Sequence, residues 1–139
     1  MPNPDDILET IFADSHKPAY TVGRGMYEPG RAISFPTNKI HSGIIRARST
    51  LMADGLLHLD TDPNVVQLSP YPMEIAYWST HDGKTPVKRD HIPDIAIILR
   101  DDRVMFIDYI RLNEQAETPF FWRRVAERKR HFQEELGCV

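Results

Sequence analysis

Two aspartates and one missing lysine define the chemistry this chain could perform. Asp94 follows Pro93 at the head of the apolar run 95–99, and Asp108 lies inside the next apolar run, 104–110. Arg100-Asp101-Asp102-Arg103 between them reads as a hairpin connection, so the two carboxylates are expected to come together on paired strands. Converging carboxylates can hold magnesium or manganese, which lowers the pKa of a bound water and turns it on a phosphodiester. Such a centre also needs a cation to offset the charge that builds in the transition state. A lysine two residues past the second carboxylate would supply it, because strand alternation aims i and i+2 at one face. That position is Ile110. Lys88 and Arg111 are the candidate replacements, and His91 is a further candidate acid, base or ligand.

The elements that must position these residues are readable from periodicity. A short helix is expected over 4–13, with Asn3 as cap, Pro4 at the first helical position, and Asp5 and Asp6 at the positive end of the dipole. Ile7, Leu8, Ile11 and Phe12 then share one face. Residues 15–41, rich in Gly, Pro and small polar residues, read as an extended arm. A second helix is expected over 44–59, with Leu51, Leu56, Leu57 and Leu59 buried and Gly55 an unfavourable residue within it. Strands follow at 65–68, 73–78, 95–99 and 104–110, with His81-Asp82-Gly83-Lys84 as a turn. The last two are almost unbroken apolar runs, so both faces should be covered. A final helix over 118–136 would be capped by Thr118, start at Pro119 and stop at Gly137, with Phe121, Val125, Phe132 and Leu136 as its apolar stripe. This order predicts an α/β domain, a mixed β-sheet flanked by helices. Residues 1–139 read as one domain, with 1–32 an N-terminal helix and arm.

Of the 139 residues, 41% are hydrophobic, enough for a real core. The net charge of −3 gives no overall bias toward nucleic acid, yet the charge is unevenly placed. Residues 1–14 carry four acids and no base, whereas 123–131 reads Arg-Arg-Val-Ala-Glu-Arg-Lys-Arg-His. Arg123, Arg124, Arg128, Lys129 and Arg130 are therefore the candidate phosphate-tracking surface. A lone cysteine, Cys138, excludes an intrachain disulfide and a cysteine zinc site. No apolar run approaches the roughly 18 residues of a membrane span, and a basic-then-apolar leader is missing. The expectation is a cytoplasmic protein without a membrane partner.

The chain also resembles a known family. Phe35-Pro36-Thr37-Asn38-Lys39, Arg48-Ser49-Thr50-Leu51-Met52-Ala53-Asp54 and Leu57-His58-Leu59-Asp60-Thr61-Asp62-Pro63-Asn64-Val65-Val66 carry the likeness, followed by Ser69-Pro70-Tyr71-Pro72-Met73-Glu74-Ile75, His91-Ile92-Pro93-Asp94-Ile95 and Val104-Met105-Phe106-Ile107-Asp108. In order and spacing, over roughly residues 33–136, these segments resemble the N-terminal catalytic domain of the transposon endonuclease TnsA. The resemblance implies a restriction-endonuclease-like fold of the PD-(D/E)XK nuclease superfamily, with DNA as the ancestral ligand. It also implies which positions have changed. Met52 stands where the family has a helix glutamate, Arg48 at another acidic position, Tyr71-Pro72 at Gln-Pro, and Asp108-Tyr109-Ile110 at carboxylate-x-Lys. Asp94 is retained, with Asp108 in place of the usual glutamate.

Three functions are compatible with these residues. The first is a catalytically degenerate TnsA-like domain that binds DNA, a protein partner or both, in a mobile-element or phage setting, without a cofactor. The second is an active magnesium- or manganese-dependent endonuclease in which Asp94 and Asp108 hold the metal and Lys88 or Arg111 supplies the cation. The third is an assembly protein that uses the acidic first helix as a docking or homodimer element. Against these stand plain structural roles: Asp94 as a strand-start residue, Asp108 as a hydrogen-bonded buried acid, His91 as a surface histidine, Ile110, Trp122 and Phe120-Phe121 as core, and the basic helix as solvated charge.

Overall fold

The computed structural model describes residues 4–20, 33–80, 86–117 and 121–137. In chain order its elements are α1 (Pro4–Ile11), β1 (Ile33–Pro36), β2 (Ile44–Ala47), α2 (Thr50–Thr61), β3 (Val65–Pro70), β4 (Ile75–Thr80), β5 (Pro86–His91), β6 (Ile95–Leu99), β7 (Val104–Ile107), α3 (Leu112–Glu117) and α4 (Phe121–Leu136). The fold is α/β, with β-sheets flanked by helices. Every described ladder is antiparallel, and the strands fall into three sheets rather than one: β1-β2, β3-β6-β7 and β4-β5.

The central sheet has two apolar faces, and strand alternation assigns each residue to one of them. Ile95 pairs with Ile107 and Ile97 with Met105. These four lie on the side of α2, in a core with Ile45, Ala47, Met52, Leu56, Val65 and Leu68. Ala96 pairs with Phe106 and Ile98 with Val104. Phe106 and Val104 pack on the opposite side against Ile75, Tyr77, Phe132 and Leu136, and Phe106 stacks on Phe132 with centroids 4.3 Å apart. The layers are thus α2, sheet, then α4 with α1 and the β4–β5 hairpin. Two-sided burial explains the unbroken apolar runs of β6 and β7. The hairpin between them closes with Leu99 N–H donating to the Arg103 carbonyl at 2.9 Å. Asp102 takes φ 67°, a left-handed turn conformation that Asp tolerates better than most residues.

Several elements depart from the sequence expectation for identifiable reasons. Residues 44–47 are strand rather than the start of α2. Ile44 and Ile45 are β-branched, and Ser49 caps the helix by accepting the Met52 N–H at 3.1 Å. Within α2, Leu56 is fully buried and Leu57 is exposed. The final helical region begins earlier, as α3, before α4. The expected caps at Asn3 and Thr118, the start at Pro119, the turn at 81–84, Cys138 and residues 21–32 of the arm lie outside the described residues, while Ile33–Pro36 of the arm forms β1. The apolar face of α1 is already occupied, since Ile7 and Leu8 pack beside Phe132 and Leu136 and Ile11 is buried. Ser69 Oγ and Gln67 Nε2 donate to the carbonyls of Ile11 and Phe12, each at 2.7 Å, and tie that helix end to β3. Among the described residues, no helix is long and apolar enough to cross a membrane.

Gly55 has a specific role. A Cβ built there would overlap the ring of Tyr109, so the missing side chain lets the chain leaving β7 close on α2. Gly55→Ala is expected to destabilise the protein by about 1–2 kcal/mol, overpacking outweighing the better helix propensity of alanine. Repeating the substitution in a Tyr109→Ala background should make it neutral or stabilising. Urea unfolding of the four proteins in the cycle measures the coupling.

Candidate functional site

Asp94 is the fixed point of the site. It sits just before β6, 3% exposed, in a place where an unpartnered carboxylate would be costly. Its partners leave little unmet. Arg48, between β2 and α2, donates Nε to Oδ1 at 2.6 Å and Nη2 to Oδ2 at 2.9 Å, a two-pronged ion pair. Oδ2 also accepts the Tyr109 N–H at 2.8 Å, and Arg48 Nη2 reaches the Tyr109 carbonyl at 2.9 Å. One guanidinium therefore clamps the N-terminal end of β6 to the chain leaving β7.

Asp108 lies next to it, as the hairpin requires. The Ile95–Ile107 pair places residues 94 and 108 one step beyond, and Asp108 Oδ1 accepts the Asp94 backbone N–H at 3.1 Å. Asp108 Oδ2 lies 2.8 Å from His91 Nε2. His91 is thus a half-buried partner of Asp108 and not a plain surface histidine. Both aspartates hold parts of the fold together, and each does so with a named cation or potential cation.

Arg48, Met52 and Tyr71 meet around Asp94. Met52 is fully buried, and Tyr71 Oη approaches its sulfur at 3.4 Å. Tyr71 Oη also donates to the Arg46 carbonyl at 2.7 Å, while its backbone N–H donates to the Asp94 carbonyl at 2.8 Å. Tyr71 has φ 46°, a conformation costing a non-glycine residue about 1–3 kcal/mol unless its surroundings hold it. Burial and the nearby Asp94 charge push its phenol pKa up, so the hydroxyl stays a protonated donor. Arg48, Met52 and Tyr71 thus form one packed set.

Beside Arg48 and Asp94 opens a cavity of about 490 Å³, lined also by His91, Ile92, Asp108, Ile110 and Glu114 and by Phe121, Arg124 and Arg128 of α4. Lys88 and Arg111 are both exposed, and neither lines it. Lys88 sits in β5 opposite Trp78, which is 66% exposed. The cations that do reach the cavity are Arg48, Arg124 and Arg128. Sequence reasoning placed the last two on a DNA-tracking face and missed Arg48, whose signal was a basic residue at a position the resemblance makes acidic. The remaining basic residues of α4 are dispersed. Arg123 and Lys129 are exposed, and Arg130 is exposed with its Nε 2.8 Å from Glu134. Trp122, expected in the core, is 70% exposed.

The residues present fit a divalent metal poorly. A metal requires carboxylate oxygens converging on an open point, whereas both Asp94 oxygens already face the Arg48 guanidinium. Among the described residues no cluster of three His, Cys, Asp or Glu side chains could hold a metal ion. No protein-family model matches the chain, and no curated protein does.

The Asp108 environment has a pH signature. Burial raises its carboxyl pKa, but the hydrogen bond and charge of His91, the Asp94 N–H and the Arg128 charge outweigh burial and bring it below the ordinary 3.8. A carboxyl with a depressed folded-state pKa contributes stability above its unfolded pKa, and that contribution is lost as pH falls through the folded value. Asp108→Asn should therefore flatten the decline in unfolding free energy between about pH 5 and about pH 3, as followed by denaturant titration at each pH.

Proposed function

We propose that this chain is a catalytically silent, TnsA-like domain of the PD-(D/E)XK kind, acting in the cytoplasm as a DNA-binding module in a mobile-element or phage setting. The observation that carries the reading is the Arg48–Asp94 ion pair. A divalent metal would have to bind where a fixed positive charge already neutralises its principal ligand. The lysine expected near the reacting phosphate is Ile110. The basic residues gathered on one element are those of α4, which supply sequence-independent attraction to phosphate. The enzyme reading has one observation in its favour, the adjacency of Asp94 and Asp108. A protein-docking role draws less support from α1, since its apolar face is packed into the protein's own core.

The protein is expected to shift duplex DNA in a gel in the presence of EDTA, with affinity falling as salt rises. It is expected to leave supercoiled plasmid intact with magnesium or manganese. Nicking that Asp94→Ala abolishes would overturn the silent reading, and absence of DNA binding at low salt would remove the DNA assignment. Arg48→Ala is expected to cost about 3 kcal/mol, the low end for breaking a buried ion pair, because the Arg48 side chain is 35% exposed while that of Asp94 is 4% exposed. Adding Asp94→Asn should recover part of that loss by removing the stranded charge, which chemical denaturation can measure.

A further inference from the structure

The cavity beside Asp94 holds an imbalance that the Arg48 clamp does not resolve. Its acids are engaged. Asp94 is paired with Arg48 and Asp108 with His91, while Glu114 lies exposed at the cavity, close enough to interact with Arg48. Two of its arginines have no acid of their own. Arg124 and Arg128 are half-buried, four residues apart on α4, and so project from one face of the helix into the same space. Arg124 Nε is buried without an acceptor. Both carboxylate oxygens of Glu127, less than one turn along, are also buried without a partner, so these two side chains do not satisfy one another. Arg128 Nη1 reaches only a neutral acceptor, the Tyr77 hydroxyl at 3.3 Å, and its guanidinium lies 5.9 Å from the Tyr77 ring centre. Among the described residues neither arginine forms an ion pair.

Half-buried guanidinium groups held by packing are better anion receptors than lysines on a free surface. Their planar forks match the edges of a tetrahedral oxyanion, and little side-chain freedom remains to be lost on binding. We infer that Arg124 and Arg128 form a metal-independent binding site for a phosphate group in this cavity, beside the mutually neutralised Arg48–Asp94 pair. Asp108 lies near Arg128 and sets a limit on affinity, because an incoming dianion must share that arginine's field with it. The phosphate could be free in solution or belong to a nucleic acid. The site extends the DNA-binding reading by separating Arg124 and Arg128, which line this cavity, from Arg123, Lys129 and Arg130, which do not.

The test is titration of the intact protein with sodium phosphate in EDTA, against sodium chloride of matched ionic strength, followed by calorimetry and amide NMR. Saturable binding is expected, with shifts around Arg124, Arg128 and His91. Arg124→Gln and Arg128→Gln should each weaken it by about tenfold, the worth of one charge-assisted hydrogen bond. Arg124→Lys and Arg128→Lys should retain part of it, and Arg100→Gln, at the β6–β7 turn, should leave it unchanged. Thermal melts establish that each variant is folded. A second arm compares 5′-phosphorylated and 5′-hydroxyl oligonucleotides. Preference for the phosphorylated end, lost in the Gln variants, assigns a terminal phosphate, and equal binding lost in the same variants assigns an internal one. Binding of inorganic phosphate alone supports the site and removes the DNA reading. DNA binding that is indifferent to both Gln variants, with no saturable phosphate binding, overturns the site and leaves the DNA reading standing.

Discussion

The ion pair between Arg48 and Asp94 is the interaction on which the central architecture depends. It joins three chain segments distant in sequence: the entry to α2, the start of β6 and the exit from β7. A buried ion pair is not automatically stabilising, because desolvation can consume the Coulombic gain. Here Asp94 Oδ2 also accepts the Tyr109 N–H and Arg48 Nη2 donates to the Tyr109 carbonyl, and this makes the pair a structural joint. Its geometry also decides the chemistry. The same two oxygens that could ligate a cation from solution are already committed to one that the chain supplies.

Around that joint the fold is economical. Tyr71 accepts an unfavourable backbone conformation and in return extends the β3–β6 ladder to Asp94 and caps the sulfur of Met52. Gly55 leaves space for Tyr109, whose backbone holds Asp94. The acid side of the site is closed inward by these contacts. The basic side, on α4, opens outward with two arginines that have no acid partner among the described residues. The site thus has an internal neutral half and an external cationic half, despite a net charge of −3 for the chain.

The sequence made the central sheet legible because two-sided burial leaves unbroken apolar runs, and the hairpin between them fixed the proximity of Asp94 and Asp108. It misplaced the start of α2 because Ile44 and Ile45 satisfy helical spacing as well as strand alternation; pairing with β1 decides between them. The split of the last helical region into α3 and α4 has no strong local signal within Leu112–Glu117. At the site, Lys88 and Arg111 stand near the two aspartates in sequence, and neither lines the cavity. Arg48 is 46 residues from its partner, and Arg124 and Arg128 come from a helix on the far layer. Such pairings depend on how layers stack, which local periodicity does not encode. His91 was judged by its polarity alone, and its hydrogen bond to Asp108 required the β4–β5 hairpin to be in place.

The packing of Arg48, Met52 and Tyr71 around one carboxylate has a consequence for how this surface can change over time. An acid introduced at position 48 would leave Asp94 beside a like charge in a nearly dry place, and one introduced at position 52 would enter a fully buried core. A lysine at position 110 would bring a second cation to a carboxylate that is already neutralised. The side chains at these positions are therefore coupled through Asp94, and what one of them can become depends on what the others are.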